Sequence, residues 1–155
     1  MSQDGAGIDL TTSLGYLLKE ASSALRAAME DALRPLGMTV THYSCLELLA
    51  QRPGLSASDL ARGTFVTRQS MNVLLQTLER DGYVLRDPEA AVGKTLPTRL
   101  TPYGRDELAK ATVAVRSVEL RMLAGMTDVQ QDEVFRGLQS MVRALRQGPE
   151  GVVGD

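Results

Sequence analysis

Arginine, glutamine, asparagine and threonine side chains cluster in the middle of the chain, on a stretch with the pattern of a helix. Its apolar residues recur at spacings of three and four and predict an inner face formed by Met71, Leu74, Leu75 and Leu78. The side chains left facing outward are Arg68, Gln69, Asn72, Val73, Gln76 and Thr77. Arginine can form two hydrogen bonds with guanine, glutamine and asparagine can do so with adenine, and a valine or threonine methyl group can touch the thymine methyl. This face therefore predicts contacts with base edges in a major groove.

The start of the same helix is suited to phosphate. The hydroxyl groups of Thr67 and Ser70, the free N–H groups of the first turn and the positive end of the helix dipole can all hold an anion. No carboxylate occurs in residues 60–78, whereas Arg62 and Arg68 lie within that run. A polar helix face can also be a solvated surface and nothing more, but such a face usually carries glutamate as well as lysine, and a carboxylate would repel phosphate. The missing carboxylates therefore favour DNA binding.

The surrounding sequence predicts the elements that would position this helix. Ser56 and Asp59 have the spacing of a capping box, so a short helix should begin there and end near Gly63. After a tight turn, Thr67 can cap the longer helix, which should end at Gly82. Two short helices joined in this way form a helix-turn-helix, whose second helix enters the major groove.

A β-hairpin is expected to follow these two helices. Residues 83–86 are rich in β-prone types, and residues 98–100 form a plausible returning strand after a loop that we expect to have a mobile tip. Lys94 is the cation at this tip, so we assign it a contact with the minor groove or with phosphate, although it could also be a solubilising loop charge. Arg99, on the returning strand, is a weaker second candidate. The hairpin would be the wing of a winged helix-turn-helix.

Long helices are predicted on both sides of this region. Apolar residues at helical spacing run from residue 10 to 33, and Thr39 can cap a second helix. Pro102 suits the first position of a later helix, and Thr127 with Gln130 forms a capping box for the last one. The predicted fold class is therefore mainly α with a minor β component, a winged helix-turn-helix with long N- and C-terminal dimerisation helices.

The same pattern predicts the division of the chain. We expect residues 38–101 to form the DNA-binding region, and residues 10–36 together with 102–147 to form a helical dimerisation region. The apolar stripes of the first and last helices exceed what the short helices and the hairpin could cover, which predicts a homodimer. Residues 1–9 and 148–155 are expected to be disordered.

Composition excludes several other classes of protein. The chain has 155 residues, of which 43% are apolar and 23% charged, as in an ordinary soluble domain. No stretch approaches the roughly 18 apolar residues of a membrane span, so we expect a cytoplasmic protein without a membrane partner. Cys45 is the only cysteine and His42 the only histidine, which leaves no metal-ligand set, and no cofactor is expected. No nucleophile elbow, phosphate loop or paired carboxylates point to an enzyme.

The layout also resembles that of the MarR-type regulators from about residue 10 to 146. The resemblance rests on the order and spacing of four segments: GMTVTHY at 37–43, GLSASDLA at 54–61, LERDGYV at 78–84 and LTPYG at 100–104. It implies a homodimer shaped by the first and last helices, palindromic double-stranded DNA as partner, and often a small aromatic or phenolic ligand that releases the DNA. His42 and Tyr43 are candidate ligand contacts, although a lone histidine in a first helical turn is more often a surface or dimer-contact group.

Two departures from the MarR pattern concern DNA contacts. Relatives commonly carry an Asp-Arg-Arg wing tip, where this chain has residues 89–94 with the sequence EAAVGK. Val73 and Thr77 stand where relatives often place arginines, which suggests fewer charged contacts and a different operator.

The resulting interpretation is a sequence-specific DNA-binding transcription regulator, a ligand-responsive or constitutive repressor. The alternative is a winged-helix module for protein interaction or scaffolding, which the net charge of −2 favours. Cys45 could sense oxidants, but a small buried apolar role is the stronger interpretation, because no Lys, Arg or second Cys lies close to it in sequence.

Overall fold

A computed structural model describes residues 7–86 and 97–148. Within these residues the chain forms six α-helices and one antiparallel pair of strands. In chain order they are α1 (Leu14–Leu33), α2 (Val40–Gln51), α3 (Ala57–Thr64), α4 (Arg68–Arg80), β1 (Val84–Arg86), β2 (Thr98–Leu100), α5 (Pro102–Leu123) and α6 (Asp128–Arg146). The predicted mainly helical fold with a minor β component is confirmed. The tip of the hairpin, with Lys94, and most of the predicted disordered ends lie outside the described residues.

The chain divides into two compact units, residues 1–118 and residues 119–155. The first unit contains α1 to α4, the hairpin and most of α5, and the second contains the end of α5 and α6. The boundaries predicted for the DNA-binding and dimerisation regions stay predictions.

Side-chain caps set the starts of the helices. The hydroxyl groups of Ser13, Thr39, Ser56, Thr67 and Thr127 each accept the backbone N–H three residues further on. The two predicted capping boxes, at the starts of α3 and α6, are confirmed.

The first helix begins four residues later than the apolar spacing suggested. Asp9 accepts hydrogen bonds from the backbone N–H and the hydroxyl of Thr11, at 2.9 and 2.7 Å, and its carbonyl accepts the N–H of Thr12. This local turn competes with helix formation, so α1 starts only after the cap at Ser13.

The core of the first unit lies between α2, the helix-turn-helix, the hairpin and α5. α3 contributes Leu60 and Ala61, and the strands contribute Val84 and Leu100, all buried. The buried residues of α4 are Met71, Leu75 and Leu78, as predicted, whereas Leu74 is half-buried at the edge of the core. α5 closes the core with Leu108, Ala111 and Val115.

A compact joint fixes the hairpin between α4 and α5. Gly82 adopts a φ of 84°, a left-handed conformation that glycine reaches without steric cost, and Tyr83 N–H donates to the carbonyl of Leu78 at 2.9 Å. Thr101 donates its hydroxyl proton to the Gly82 carbonyl and accepts the N–H of Gly104 at 2.9 Å. A Cβ atom on Gly104 would lie 2.1 Å from the carbonyl oxygen of Tyr83, so only glycine permits this close approach.

The second unit exposes apolar surface. No residue of α6 is buried, and Val134, Phe135, Leu138 and Val142 are exposed on it. Within the described residues, no helix combines the length and the apolar character that crossing a bilayer would require.

Candidate nucleic-acid interface

The outward face predicted for α4 is present in the structure. Arg68, Gln69, Val73 and Gln76 are exposed, and Asn72 and Thr77 are half-buried on the same helix. The Thr77 hydroxyl donates to the carbonyl of Val73 at 3.2 Å, one turn earlier. With that proton engaged, the methyl group is the part of Thr77 best suited to a thymine methyl.

The N-terminus of α4 is preorganised by its cap. Thr67 accepts the backbone N–H of Ser70 at 3.1 Å and donates its own hydroxyl proton to Ser70 Oγ at 2.9 Å. The hydroxyl of Thr67 is therefore used in capping the helix, while the hydroxyl proton of Ser70 has no acceptor among the described residues. The N–H groups of Arg68 and Gln69 precede the first intrahelical hydrogen bond. Together with the Ser70 hydroxyl they give three donors in one turn for a phosphate.

The cations around this helix differ in their availability. Arg62 pairs with Asp59 on α3, and Arg80 pairs with Asp81 at 3.4 Å. Arg68, by contrast, forms no ion pair with any residue in the described part of the chain. Its guanidinium group can therefore bind DNA without first breaking an internal contact.

Arg99 lies on the outer face of the hairpin. It pairs in register with Leu85, and both side chains are exposed, whereas Val84 and Leu100 on the opposite face are buried. The side chain of Arg99 is thus accessible for a wing contact. Lys94 lies outside the described residues.

Half-buried Arg86 and fully buried Thr98 form an inward-facing polar pair that sequence reasoning missed. They are directly opposed across the two strands, and Thr98 is fully buried. Nε and Nη2 of Arg86 and Oγ1 of Thr98 are buried and find no hydrogen-bond partner among the residues that the structure describes. The available signal was the period of two in β1, which places Arg86 on the same inward face as Val84.

The imidazole of His42 takes part in the cap of α2. Its Nδ1 accepts the N–H of Thr39 at 3.3 Å, and its backbone N–H donates to the Thr39 hydroxyl at 3.1 Å. Burial lowers the pKa of His42, and the carboxylates of Asp81 and Glu30 oppose that shift only in part. Tyr43 is half-buried against the core. His42 can therefore offer a ligand only its Nε2 while the cap is intact.

The lowered pKa of His42 predicts a pH dependence of stability. The unfolded chain takes up a proton near the ordinary histidine pKa of 6.5, before the folded chain does, so the free energy of unfolding should fall as the pH drops from 6.5 through the folded-state pKa. Urea unfolding between pH 7.5 and 5 measures this, at constant protein concentration.

The matched control for that titration is His42→Gln, since glutamine also serves the third position of a capping box and does not titrate. His42 is the only histidine of the chain, so the difference between the two profiles isolates it. Parallel profiles for wild type and variant would contradict the lowered pKa of His42.

Cys45 is fully buried in the core, with its sulfur 4.0 Å from that of Met71. Burial raises the pKa of the thiol to about 12, although the charge of Arg86 acts in the opposite direction. A thiol in this state is a packing group and a poor nucleophile. The structure supports the buried apolar role rather than oxidant sensing.

These elements together define a class of protein. A short α3, a tight turn, an α4 whose outward face is polar and free of carboxylates to residue 78, and an antiparallel hairpin form a winged helix-turn-helix DNA-binding domain.

Comparisons with known proteins identify the family. A MarR family sequence profile matches residues 36–92. The chain is 42% identical over 128 residues to the HTH-type transcriptional repressor Rv2887 of Mycobacterium tuberculosis, covering 83% of this chain and 92% of that one. The crystal structure of Rv2887 in complex with DNA has a TM-score of 0.70 at 39% identity and covers 84% and 98% of the two chains. That of Rv2887 with salicylic acid has a TM-score of 0.70 at 40% identity, with coverages of 89% and 98%.

The chain belongs to the MarR family. The expected winged helix-turn-helix transcription regulator is confirmed, in preference to an interaction module without DNA binding.

Proposed function

We propose that this protein is a repressor that binds a palindromic operator as a homodimer and releases it when an aromatic carboxylate binds. The observation that supports the proposal is the exposed face of α4: Arg68 forms no ion pair among the described residues, it stands beside amide side chains, and no carboxylate occurs in the helix before Glu79. The cytoplasmic location and the lack of catalytic activity expected from the sequence stay predictions.

Each group on α4 has a role in this proposal. Arg68 and Gln69, in the first turn, contact base edges, as Asn72 and Gln76 do further along the helix. Val73 and Thr77 offer methyl groups to thymine. The cap at Thr67 and the hydroxyl of Ser70 place one phosphate at the helix start and so fix the register of the base contacts.

The wing contributes attraction to the DNA backbone. Arg99 lies on the exposed face of the hairpin, and Lys94 precedes it by five residues in the sequence. Such contacts depend on charge and not on base pattern, so they should strengthen binding to all sequences alike. The recognition helix would supply the discrimination.

A homodimer accounts for the apolar surface of the two long terminal helices. α1 exposes Leu14, Leu17 and Leu18, and α6 exposes an apolar stripe that includes Leu138. Stripes of this kind are the usual sign of an interface between copies. Two copies also match the two half-sites of a palindrome.

Charges placed on the α6 stripe should separate the subunits. We expect Leu138→Glu combined with Met141→Glu to convert the dimer into monomers at micromolar concentration, because the interface would then have to desolvate two carboxylates per chain. Light scattering measures the mass, and circular dichroism reports the helical content.

The control for the interface is Gln139→Glu, a charge added to an exposed residue between the two test positions. It should leave the mass unchanged. A double variant that stays dimeric, or a wild-type monomer, would contradict the dimer proposal.

An aromatic carboxylate is the proposed ligand class because the similar repressor Rv2887 was crystallised with salicylic acid. In this chain, Arg86 and Thr98 hold buried donors that would suit a carboxylate. The sequence-based candidates His42 and Tyr43 stay predictions.

Titration of the protein–operator complex with salicylate tests this response, with fluorescence anisotropy of the DNA as readout. Salicylamide has nearly the same shape but no negative charge, and it is the matched control. We expect salicylate to release the DNA at concentrations at which salicylamide does not. Equal potency of the two compounds would contradict a carboxylate site, and release by neither would contradict this ligand class.

A further inference from the structure

The turn between α3 and α4 holds an aromatic residue in an unfavourable conformation. Phe65 has a φ of 60° and a ψ of 36°, and 84% of its surface is exposed. It is the only residue other than glycine with a positive φ in the described part of the chain. The ring of Phe65 is thus exposed, and its backbone adopts a conformation that phenylalanine does not prefer.

The backbone of the turn needs the left-handed conformation but does not need the ring. The N–H of Phe65 donates to the Arg62 carbonyl at 3.4 Å, and the N–H of Val66 donates to the Ala61 carbonyl at 3.1 Å, which ends α3. Glycine adopts this conformation at no steric cost, whereas a Cβ atom crowds the following carbonyl. The fold of the turn therefore gives no reason for a phenylalanine.

The position of the ring points to what it contacts. Phe65 lies two residues before the cap of α4 and three before Arg68, next to the helix end that the proposed function sets against phosphate. Val66 packs against the core and holds the turn in place. If DNA binds there, an exposed apolar ring beside a phosphate site would face the deoxyribose rings, which are the apolar part of the DNA backbone.

We propose that Phe65 is a DNA contact, with its ring packed on the deoxyribose next to the phosphate held by the start of α4. This inference rests on the proposed function, since it requires α4 to enter the groove. The contact is apolar and independent of sequence, so it should strengthen binding to every duplex without changing the salt dependence. This contact gives a reason for the strained backbone at Phe65, because the ring contributes to DNA binding.

Three substitutions in the full-length chain test the proposal. Phe65→Gly relieves the strain, Phe65→Asn keeps a residue that tolerates the left-handed conformation, and Phe65→Tyr keeps the ring. We expect the glycine variant to unfold about 2–4 °C higher than wild type, which shows that the ring is not needed for folding. Glycine and asparagine variants should each bind operator and random DNA roughly 10-fold more weakly, a loss comparable to that of a buried apolar side chain. The tyrosine variant should bind like wild type.

The salt dependence of binding distinguishes the loss of an apolar contact from the loss of a charge contact. The molecular mass shows whether a variant has a weakened dimer. Slopes of log affinity against log salt should be the same for wild type and all three variants, because no cation is removed. Unchanged affinity of the glycine and asparagine variants would overturn the role of Phe65, and so would a loss of affinity that accompanies a loss of dimer mass. If wild type itself does not prefer its operator, the proposed function fails, and with it the premise of this contact.

Discussion

Replacing Gly104 by alanine should destabilise the protein by about 2–3 kcal/mol, although alanine is the better helix former. The added Cβ atom would lie 2.1 Å from the carbonyl oxygen of Tyr83, and a backbone group cannot move aside as a flexible side chain can. The hairpin and α5 would have to separate, which also strains the hydrogen bond from Gly104 N–H to the Thr101 hydroxyl. Urea unfolding at a fixed protein concentration measures the loss.

Gly137 provides the matched control for this substitution. It lies within α6, and an added Cβ atom there would meet no other atom within 4 Å. Gly137→Ala should therefore stabilise by up to about 1 kcal/mol through the helix propensity of alanine. Because Gly137 lies beside Leu138 on the proposed interface, light scattering must show that the variant keeps the dimer mass. Stabilisation by both substitutions would mean that the close approach at Tyr83 is not formed.

The second large effect concerns the recognition helix. Arg68→Ala and Gln69→Ala should each weaken operator binding by about 1–3 kcal/mol per subunit and relax the preference at one operator position, because each removes a hydrogen-bonding pattern matched to one base. Binding to random DNA should change much less for Gln69→Ala than for Arg68→Ala, since only the arginine carries charge. Anisotropy titrations on the operator and on single-base variants measure both.

Arg146→Ala removes the same charge from an exposed position at the end of α6 and should leave the base preference unchanged. Circular dichroism of the variants verifies that the helices are retained. If both α4 variants bind the operator as tightly as wild type while folded, the assignment of α4 as the recognition helix is wrong.

Much of the fold was predictable because its signals are local. Caps such as Ser56 with Asp59, and the glycine stop at Gly82, act within a few residues and can be recognised without any knowledge of packing. The outward face of α4 followed from helical spacing alone. The start of α1 was misjudged because apolar spacing continued through residues that Asp9 holds in a turn.

Features that depend on strand register or on backbone dihedral angles could not be predicted from the sequence. The pairing of Arg86 with Thr98 requires the register of the hairpin, and the unusual φ of Phe65 appears only once the turn is built. The role of His42 in the cap was missed because histidine is an uncommon third residue in a capping box, where glutamate or glutamine is expected. Net charge was misleading, because the cations assigned to DNA binding, Arg68, Lys94 and Arg99, are few and local, while the carboxylates that set the net charge are spread over the rest of the chain.

Recognition of a DNA sequence through α4 can be measured by comparing two affinities of the 155-residue protein at about 0.15 M salt. One is its affinity for the DNA that flanks its own gene, and the other its affinity for a shuffled duplex of the same composition. We expect a preference of at least about 10³-fold for the flanking DNA, with affinity for both duplexes falling steeply as salt rises. Equal affinity for the two duplexes, or no binding to either at low salt, would contradict it.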